Sequence, residues 1–165
     1  MAVVVFVDLA GFTSFAETRG DAVAAALLER FALKAMQIGR RLGLRPIKTI
    51  GDAVLFVGAD PQSGIDAAAA FLEAFGPHNA SLPVHVGVHC GDIVERDGDV
   101  YGRAVNLTAR LVSAAAPGTA LFSREVVAKA RAWTRAVPAG TRVLRGLPKP
   151  IEVFRLATRP KTMAQ

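Results

Sequence analysis

Arg45-Pro46-Ile47-Lys48-Thr49-Ile50-Gly51-Asp52-Ala53-Val54-Leu55-Phe56-Val57 is two short apolar runs separated by a glycine–aspartate pair. It predicts strands near 45–50 and 53–57 around a tight turn at Gly51-Asp52. A tight turn joins antiparallel neighbours, whereas parallel strands need a long crossover, usually a helix. Working outward from this hairpin, strands and helices interleave, yet several strands are joined by tight turns. The pattern is that of a mixed sheet with helices packed on it, an α+β sandwich and not a doubly wound parallel fold.

Upstream, Val3-Val4-Val5-Phe6-Val7 is a continuous apolar strand, as expected of one buried on both faces, and Asp8 ends it. Ser14 with Glu17 fits a capping box, which predicts a helix starting just after Gly11-Phe12-Thr13. Asp21 can cap a second helix, in which Ala24, Leu28, Phe31, Ala35, Ile38 and Leu42 form one apolar stripe before Gly43 ends it. Downstream, Asp60-Pro61 starts a helix whose buried face is predicted to be Ile65, Ala69, Leu72 and Phe75. Residues 84–90 alternate with period two, with Val84, Val86, Val88 and Cys90 on one side and His85, Gly87 and His89 on the other. Turns at Gly91-Asp92 and Asp97-Gly98 follow. A helix over 103–115 is predicted to turn Val105, Ala109, Val112 and Ala116 inward. A strand near 120–122, a helix near 123–132 and closing strands near 141–145 and 151–156 complete the order.

The chain has 165 residues, one ordinary domain over 1–165 with its core at about 3–156, and no internal repeat or linker. Hydrophobic residues make up 52%, which argues against disorder. No apolar run approaches the roughly 20 residues that span a bilayer, and no secretion signal is visible. The single cysteine, Cys90, cannot form an internal disulfide, so a cytoplasmic location is expected. The chain opens almost directly on a strand, as a domain cut from a longer protein would. The net charge of +6 suits a polyphosphate, an anionic membrane or nucleic acid, or is simply a solvated basic surface. No lysine block and no basic stretch interleaved with aromatics supports nucleic acid.

Several residues bear chemistry. Asp8 ends a buried strand, where a carboxylate is costly unless a cation pairs with it. Backbone N–H groups at the helix start after Gly11 can bind phosphate. Asp52 with Asp8 could hold hard divalent ions, although a strand-end aspartate taken singly is more often a cap or turn former. Asn106 and Arg110 share a helix face with Arg103 one turn earlier, either as a polar surface or as groups for a sugar and a phosphate charge. His85 and His89 alternate as metal ligands do, but nothing else supports a metal site there and packing with backbone satisfaction is the preferred reading.

Five stretches, in order, resemble class III adenylyl and guanylyl cyclase catalytic domains, and they span residues 3 to about 156. Phe6-Val7-Asp8-Leu9-Ala10-Gly11-Phe12-Thr13 is similar to the first metal motif, and Lys48-Thr49-Ile50-Gly51-Asp52-Ala53 to the second. Gly87-Val88-His89-Cys90-Gly91 resembles the central strand and turn. Asp99-Val100-Tyr101-Gly102 with Val105-Asn106-Leu107-Thr108-Ala109-Arg110 resembles the purine and transition-state segment. Leu144-Arg145-Gly146 and Val153-Phe154 resemble the closing strand pair.

The resemblance implies a ferredoxin-like βαββαβ palm extended to a mixed sheet with flanking helices. It also implies an adenylate cyclase that makes 3′,5′-cyclic AMP from ATP by two-metal-ion catalysis. Asp8 and Asp52 would bind two Mg²⁺ or Mn²⁺ ions per site, with help from the Leu9 carbonyl. The amides of Gly11, Phe12 and Thr13 would hold the outer phosphates. Lys48 and Asp99 would read the purine edge, Asn106 would orient the ribose, and Arg110 would offset charge at phosphorus. Arg145 stands where the family usually has a phosphate-gripping lysine, and a guanidinium keeps the charge with a different shape. In guanylyl cyclases of the family a Glu is usual at the position of Lys48. The two carboxylates of one subunit would face Lys48, Asp99, Asn106 and Arg110 of another, so a homodimer is expected, with no nucleic-acid or membrane partner for the domain. The alternative is a catalytically silent cyclase-homology module that binds nucleotide or a partner domain. A Gly-Gly-Asp/Glu-Glu-Phe-like turn of diguanylate cyclases is absent from the sequence, and residues 84–90 lack the aromatics of a ferredoxin-like RNA-binding sheet.

Overall fold

The computed structural model describes residues 1–131 and 135–157. In chain order the elements are β1 (Ala2–Leu9), α1 (Phe12–Arg19), α2 (Asp21–Arg41), β2 (Arg45–Ile50), β3 (Ala53–Gly58), α3 (Pro61–Ala74) and β4 (Val84–Gly91). Then follow β5 (Val94–Arg96), β6 (Asp99–Tyr101), α4 (Arg103–Ala114), β7 (Ala120–Ser123), α5 (Arg124–Lys129), β8 (Ala136–Arg142) and β9 (Ile151–Leu156).

The run Val3–Val7 is fully or almost fully buried, because β1 lies inside the sheet with helices on both faces. β1 pairs antiparallel with β3 on one side and with β4 on the other. Among the described residues the main sheet has seven strands in the order β2-β3-β1-β4-β7-β9-β8, and β5 with β6 forms a separate ribbon. The first four strands give the ferredoxin-like palm, and the parallel β4–β7 pair makes the sheet mixed. β2 and β8 are its margins, and each carries a proline beside a register shift, at Pro46/Lys48 and at Pro138/Thr141.

The alternation of β1 divides the core. Val3, Val5 and Val7 pack with Phe31, Phe56, Phe71 and Val126 on the side of α2, α3 and α5. Val4 and Phe6 pack with Leu55, Val100, Ala104 and Val112 under α4. On this second side the approach is backbone to backbone. A Cβ on Gly87 would lie 2.5 Å from the Val112 nitrogen and 2.7 Å from the Thr108 carbonyl oxygen, so only glycine admits α4 at this distance. No helix among the described residues is long and apolar enough to cross a membrane.

The local expectations met mixed outcomes. Asp60 caps α3 as predicted, accepting from the Gln62 amide at 3.0 Å. The capping box does not form: α1 starts two residues earlier, at Phe12, behind Gly11 in the left-handed conformation (φ 76°), and Ser14 lies inside the helix. Asp21 is the first residue of α2 and not its cap, which is Gly20. In α2 the buried face is Ala24, Leu27, Phe31, Ala35 and Gly39, with Leu28, Ile38 and Leu42 partly buried beside it. In α3 Ala68 and Phe71 are buried, and Ala69 and Leu72 flank them.

The inward face of α4 is rotated from the predicted one. Ala104, Thr108, Leu111 and Val112 are buried, Val105 and Ala109 are half-buried, and Ala116 is exposed beyond the helix end. Small residues are what the close approach at Gly87 demands, and the Thr108 hydroxyl is satisfied by the Ala104 carbonyl at 2.7 Å. The predicted helix over 123–132 is shorter, α5, and residue 132 lies outside the described residues, as does the domain's end at 158–165. The first closing strand is β8 at 136–142, not 141–145. Pro138 and Gly140 lie within it, and a margin strand tolerates both at a bulge.

Candidate active site

Asp8 sits near the end of β1, directly opposite Ala53 of β3 and His85 of β4. Asp52 occupies the β2–β3 turn that Gly51 makes possible with φ 58°. The Leu9 amide donates to the Asp52 carbonyl at 3.1 Å, which stitches the two aspartates' backbones together. Burial, then the charge of Asp8 beside it, pushes the Asp52 carboxyl above its ordinary value. Asp8 Oδ1 is buried and has no hydrogen-bond partner among the described residues. Two repelling carboxylates with an orphaned oxygen fit hard divalent cations. No group of three or more His, Cys, Asp or Glu side chains that could hold a metal occurs among the described residues. Remaining ligands would therefore be backbone oxygen, water and substrate phosphate, as is usual for Mg²⁺.

The start of α1 lies just past Asp8. Gly11 and Thr13 are exposed, Phe12 is half-buried, and no side chain caps the helix, so its first N–H groups are open to an anion.

A second group forms between β2 and the ribbon. Lys48 Nζ donates to Asp99 Oδ2 at 2.6 Å, and the Val100 amide donates to Asp99 Oδ1 at 2.7 Å. Lys48 beside it holds the Asp99 carboxyl below the usual range. The Lys48 ammonium also lies 5.8 Å from the Tyr101 ring centroid. Arg45 clamps the ribbon to β2 through two hydrogen bonds to Glu95, both 2.9 Å.

The third group is on α4. Asn106 is exposed and Arg110 half-buried. Both line a cavity of about 490 Å³ together with His89, Arg103 and Gly146. Arg110 and the exposed Arg145 line an adjoining cavity of about 460 Å³. The Arg110 guanidinium rests against the backbone there, since a Cβ on Gly146 would be 3.1 Å from its Nη2. Neither cavity is lined by Asp8 or Asp52. One chain thus assembles the candidate residues as separate groups.

The sequence reading noted the histidines but missed the contact of one of them with the acidic pair. His85 contacts the Ala115 carbonyl through Nδ1 at 3.0 Å, which is the expected backbone satisfaction, and Asp8 Oδ2 through Nε2 at 3.2 Å, which was not expected. The bond to Asp8 raises the His85 value above its ordinary one. His89 lies 2.7 Å from Ser123 Oγ and near Glu125, and burial lowers its value. Period-two alternation placed both rings on one side of β4 but could not name their partners. Burial pushes the Cys90 thiol up to about 11, so it is protonated at neutral pH and a poor nucleophile.

Comparison with known proteins bears on the same residues. The sequence profile of the adenylate and guanylate cyclase catalytic domain matches residues 1–157. A pH-sensitive adenylate cyclase of Mycobacterium tuberculosis is 35% identical over 167 residues, 94% of this chain and 41% of its own length. An adenylate cyclase of Glutamicibacter nicotianae is 37% identical over 116 residues, 70% of this chain and 29% of its own. The chain thus spans less than half the length of these relatives. The crystal structure of the adenylyl cyclase CyaB from P. aeruginosa superposes with a TM-score of 0.79 at 21% identity, covering 99% of this chain and 96% of that one. The palm topology agrees with that fold, and with a profile match reaching from β1 to the end of β9, the chain belongs to the adenylate and guanylate cyclase catalytic domain family.

Proposed function

We propose that this domain is an adenylate cyclase, converting ATP to 3′,5′-cyclic AMP and pyrophosphate as a homodimer with two equivalent sites between the subunits. The observation that carries the reading is the Asp8–Asp52 pair, whose mutual repulsion and orphaned oxygen sit beside the open start of α1. Two Mg²⁺ or Mn²⁺ ions held there, with the Leu9 carbonyl, would supply Lewis acidity toward the ribose 3′-hydroxyl and the phosphoryl oxygens.

The chain's own residues do the rest. The 3′-oxygen attacks the α-phosphorus, the bond from that phosphorus to the bridging oxygen breaks, pyrophosphate leaves, and the hydroxyl proton passes to solvent. Amides of Gly11, Phe12 and Thr13 hold the outer phosphates, with Arg145 gripping them from the partner side. Asn106 orients the ribose. Arg110 offsets the charge that develops on the transferring phosphoryl group. No protein nucleophile is required. A cytoplasmic setting suits this chemistry and the reduced state of Cys90.

Adenine selectivity follows from hydrogen bonding. Asp99 keeps lone pairs beyond the one that Lys48 occupies, and Lys48 keeps two further N–H groups. Asp99 accepts from the 6-amino group and Lys48 donates to N1. Guanine presents a carbonyl at position 6 and an N–H at N1, which meets both groups with the wrong polarity. A mismatch of this kind costs about 1–3 kcal/mol, or from about fivefold to about 150-fold in kcat/KM. The relatives named as adenylate cyclases support the same choice.

The test is turnover of ATP against GTP with Mn²⁺, repeated with Lys48→Glu. The unsubstituted domain should form cyclic AMP faster than cyclic GMP, and Lys48→Glu should erode or reverse that preference. Faster GTP turnover by the unsubstituted domain would overturn the substrate assignment. No cyclic nucleotide from either substrate would leave the silent nucleotide-binding module as the better reading.

A further inference from the structure

His85 is the residue in contact with the acidic pair that the cyclase reading does not use. It stands opposite Asp8 in the β1–β4 register, and its side chain is 17% exposed against 25% for Asp8. Both of its ring nitrogens face acceptors, the Asp8 carboxylate on one side and the Ala115 carbonyl on the other. That carbonyl belongs to the C-cap of α4, at the negative end of the helix, which favours an N–H donor. The ring is therefore fixed at two points, on α4 and on β1. Of the two Asp8 oxygens, Oδ2 is taken by His85 and Oδ1 is buried without a partner among the described residues.

We propose that His85 is a positioning residue for the metal-binding carboxylate: its Nε2–H holds Asp8 Oδ2 and so turns Oδ1 toward the cation. The inference rests on the cyclase reading of the site. Carboxylate ligands swing freely unless an outer hydrogen bond sets their orientation, and losing such a partner typically costs about 10–100-fold in metal affinity. A ring with no job but packing would not need its far nitrogen aimed at a metal-binding carboxylate.

The test uses thermal melting with 3′-deoxy-ATP, which lacks the reacting hydroxyl, across a series of Mn²⁺ concentrations. The quantity read is the Mn²⁺ concentration that gives half the full stabilisation. His85→Leu should raise it about 10–100-fold. His85→Gln, whose amide nitrogen falls close to the Nε2 position, should restore most of the loss. Asp8→Asn should abolish the Mn²⁺-dependent part. If Asp8→Asn abolishes it and His85→Leu leaves it unchanged, the positioning role is wrong and the reading of the site stands. If Asp8→Asn has no effect, the metal site itself is misassigned and both fall. A second measurement needs no substitution at 85. In ¹⁵N NMR of the unsubstituted chain the His85 Nε2 should carry a proton, and an unprotonated Nε2 would overturn the proposal even if His85→Leu does not fold.

Discussion

Asp52 shows what a proposed metal ligand does to its own fold. Burial and the neighbouring Asp8 both raise its carboxyl above 3.8, so at neutral pH the folded state holds a charge that it disfavours. The sign is fixed by linkage: a raised folded-state value means a stabilising contribution that is present in acid and lost as the pH rises through it. Asp52→Asn should accordingly melt higher than the unsubstituted chain at pH 7–8 in chelator, with the difference shrinking on acidification, while cyclase activity falls at least about a hundredfold. Calorimetry with and without EDTA reads the first effect, and a lower melting temperature in chelator would contradict it. The acidic pair was legible in the sequence because the two motifs carry it on contiguous residues. His85 was not, because its partner Asp8 is 77 positions away and only strand register brings them together.

At the scale of elements, seating matters more than propensity. α4 carries Asn106 and Arg110, and its distance from β4 is set by Gly87, where any side chain would strike the backbone of Val112 and Thr108. Backbone cannot yield as a flexible side chain would. Gly87→Ala should therefore destabilise the fold by about 1–3 kcal/mol, as overpacking does, and lower kcat by displacing α4. Urea unfolding together with steady-state kinetics checks both, and an unchanged midpoint would exclude the close contact. Gly39 is a close approach of another kind, since a Cβ there would lie 2.5 Å from the fully buried Phe56 ring, a side chain and not backbone. The α4 face was mis-phased in the sequence because Val105 and Ala109 looked like the core stripe that Val112 does belong to, while Ala104 and Thr108 carry little hydrophobic signal. Asp60-Pro61 was read correctly because a cap is decided within three residues. Ser123 illustrates the converse: it stands at the N-cap of α5 but makes no capping bond, and its hydroxyl lies 2.7 Å from His89 Nδ1 across the sheet.

For the molecule as a whole, the acidic pair lies outside the cavities around Arg110, and the proposed homodimer would bring the two together from different copies. Mixing an Asp52→Ala chain with an Arg110→Ala chain should then restore activity that neither parent has. With random exchange half the dimers are mixed and one of their two sites is intact, so recovery should approach about a quarter of the unsubstituted rate. A mixture as inactive as its parents, with subunit exchange verified by fluorescence transfer, would rule out sharing. The fold class was legible because the β2–β3 hairpin excluded a purely parallel sheet, but the strand order past β4 depends on the long-range pairing of β7, β9 and β8, which no local pattern records.

The two irregular margins of the sheet also govern how such copies can meet. At Pro46 and at Pro138 a donor N–H is missing and the ladder is out of step, so neither outer strand offers a clean template for another chain. Growth of the sheet from molecule to molecule, the usual start of fibrils, is discouraged at both ends. Association is left to faces and loops, which can close a pair without seeding a polymer, and the domain should stay dispersed at concentrations where a smooth-edged sheet would aggregate.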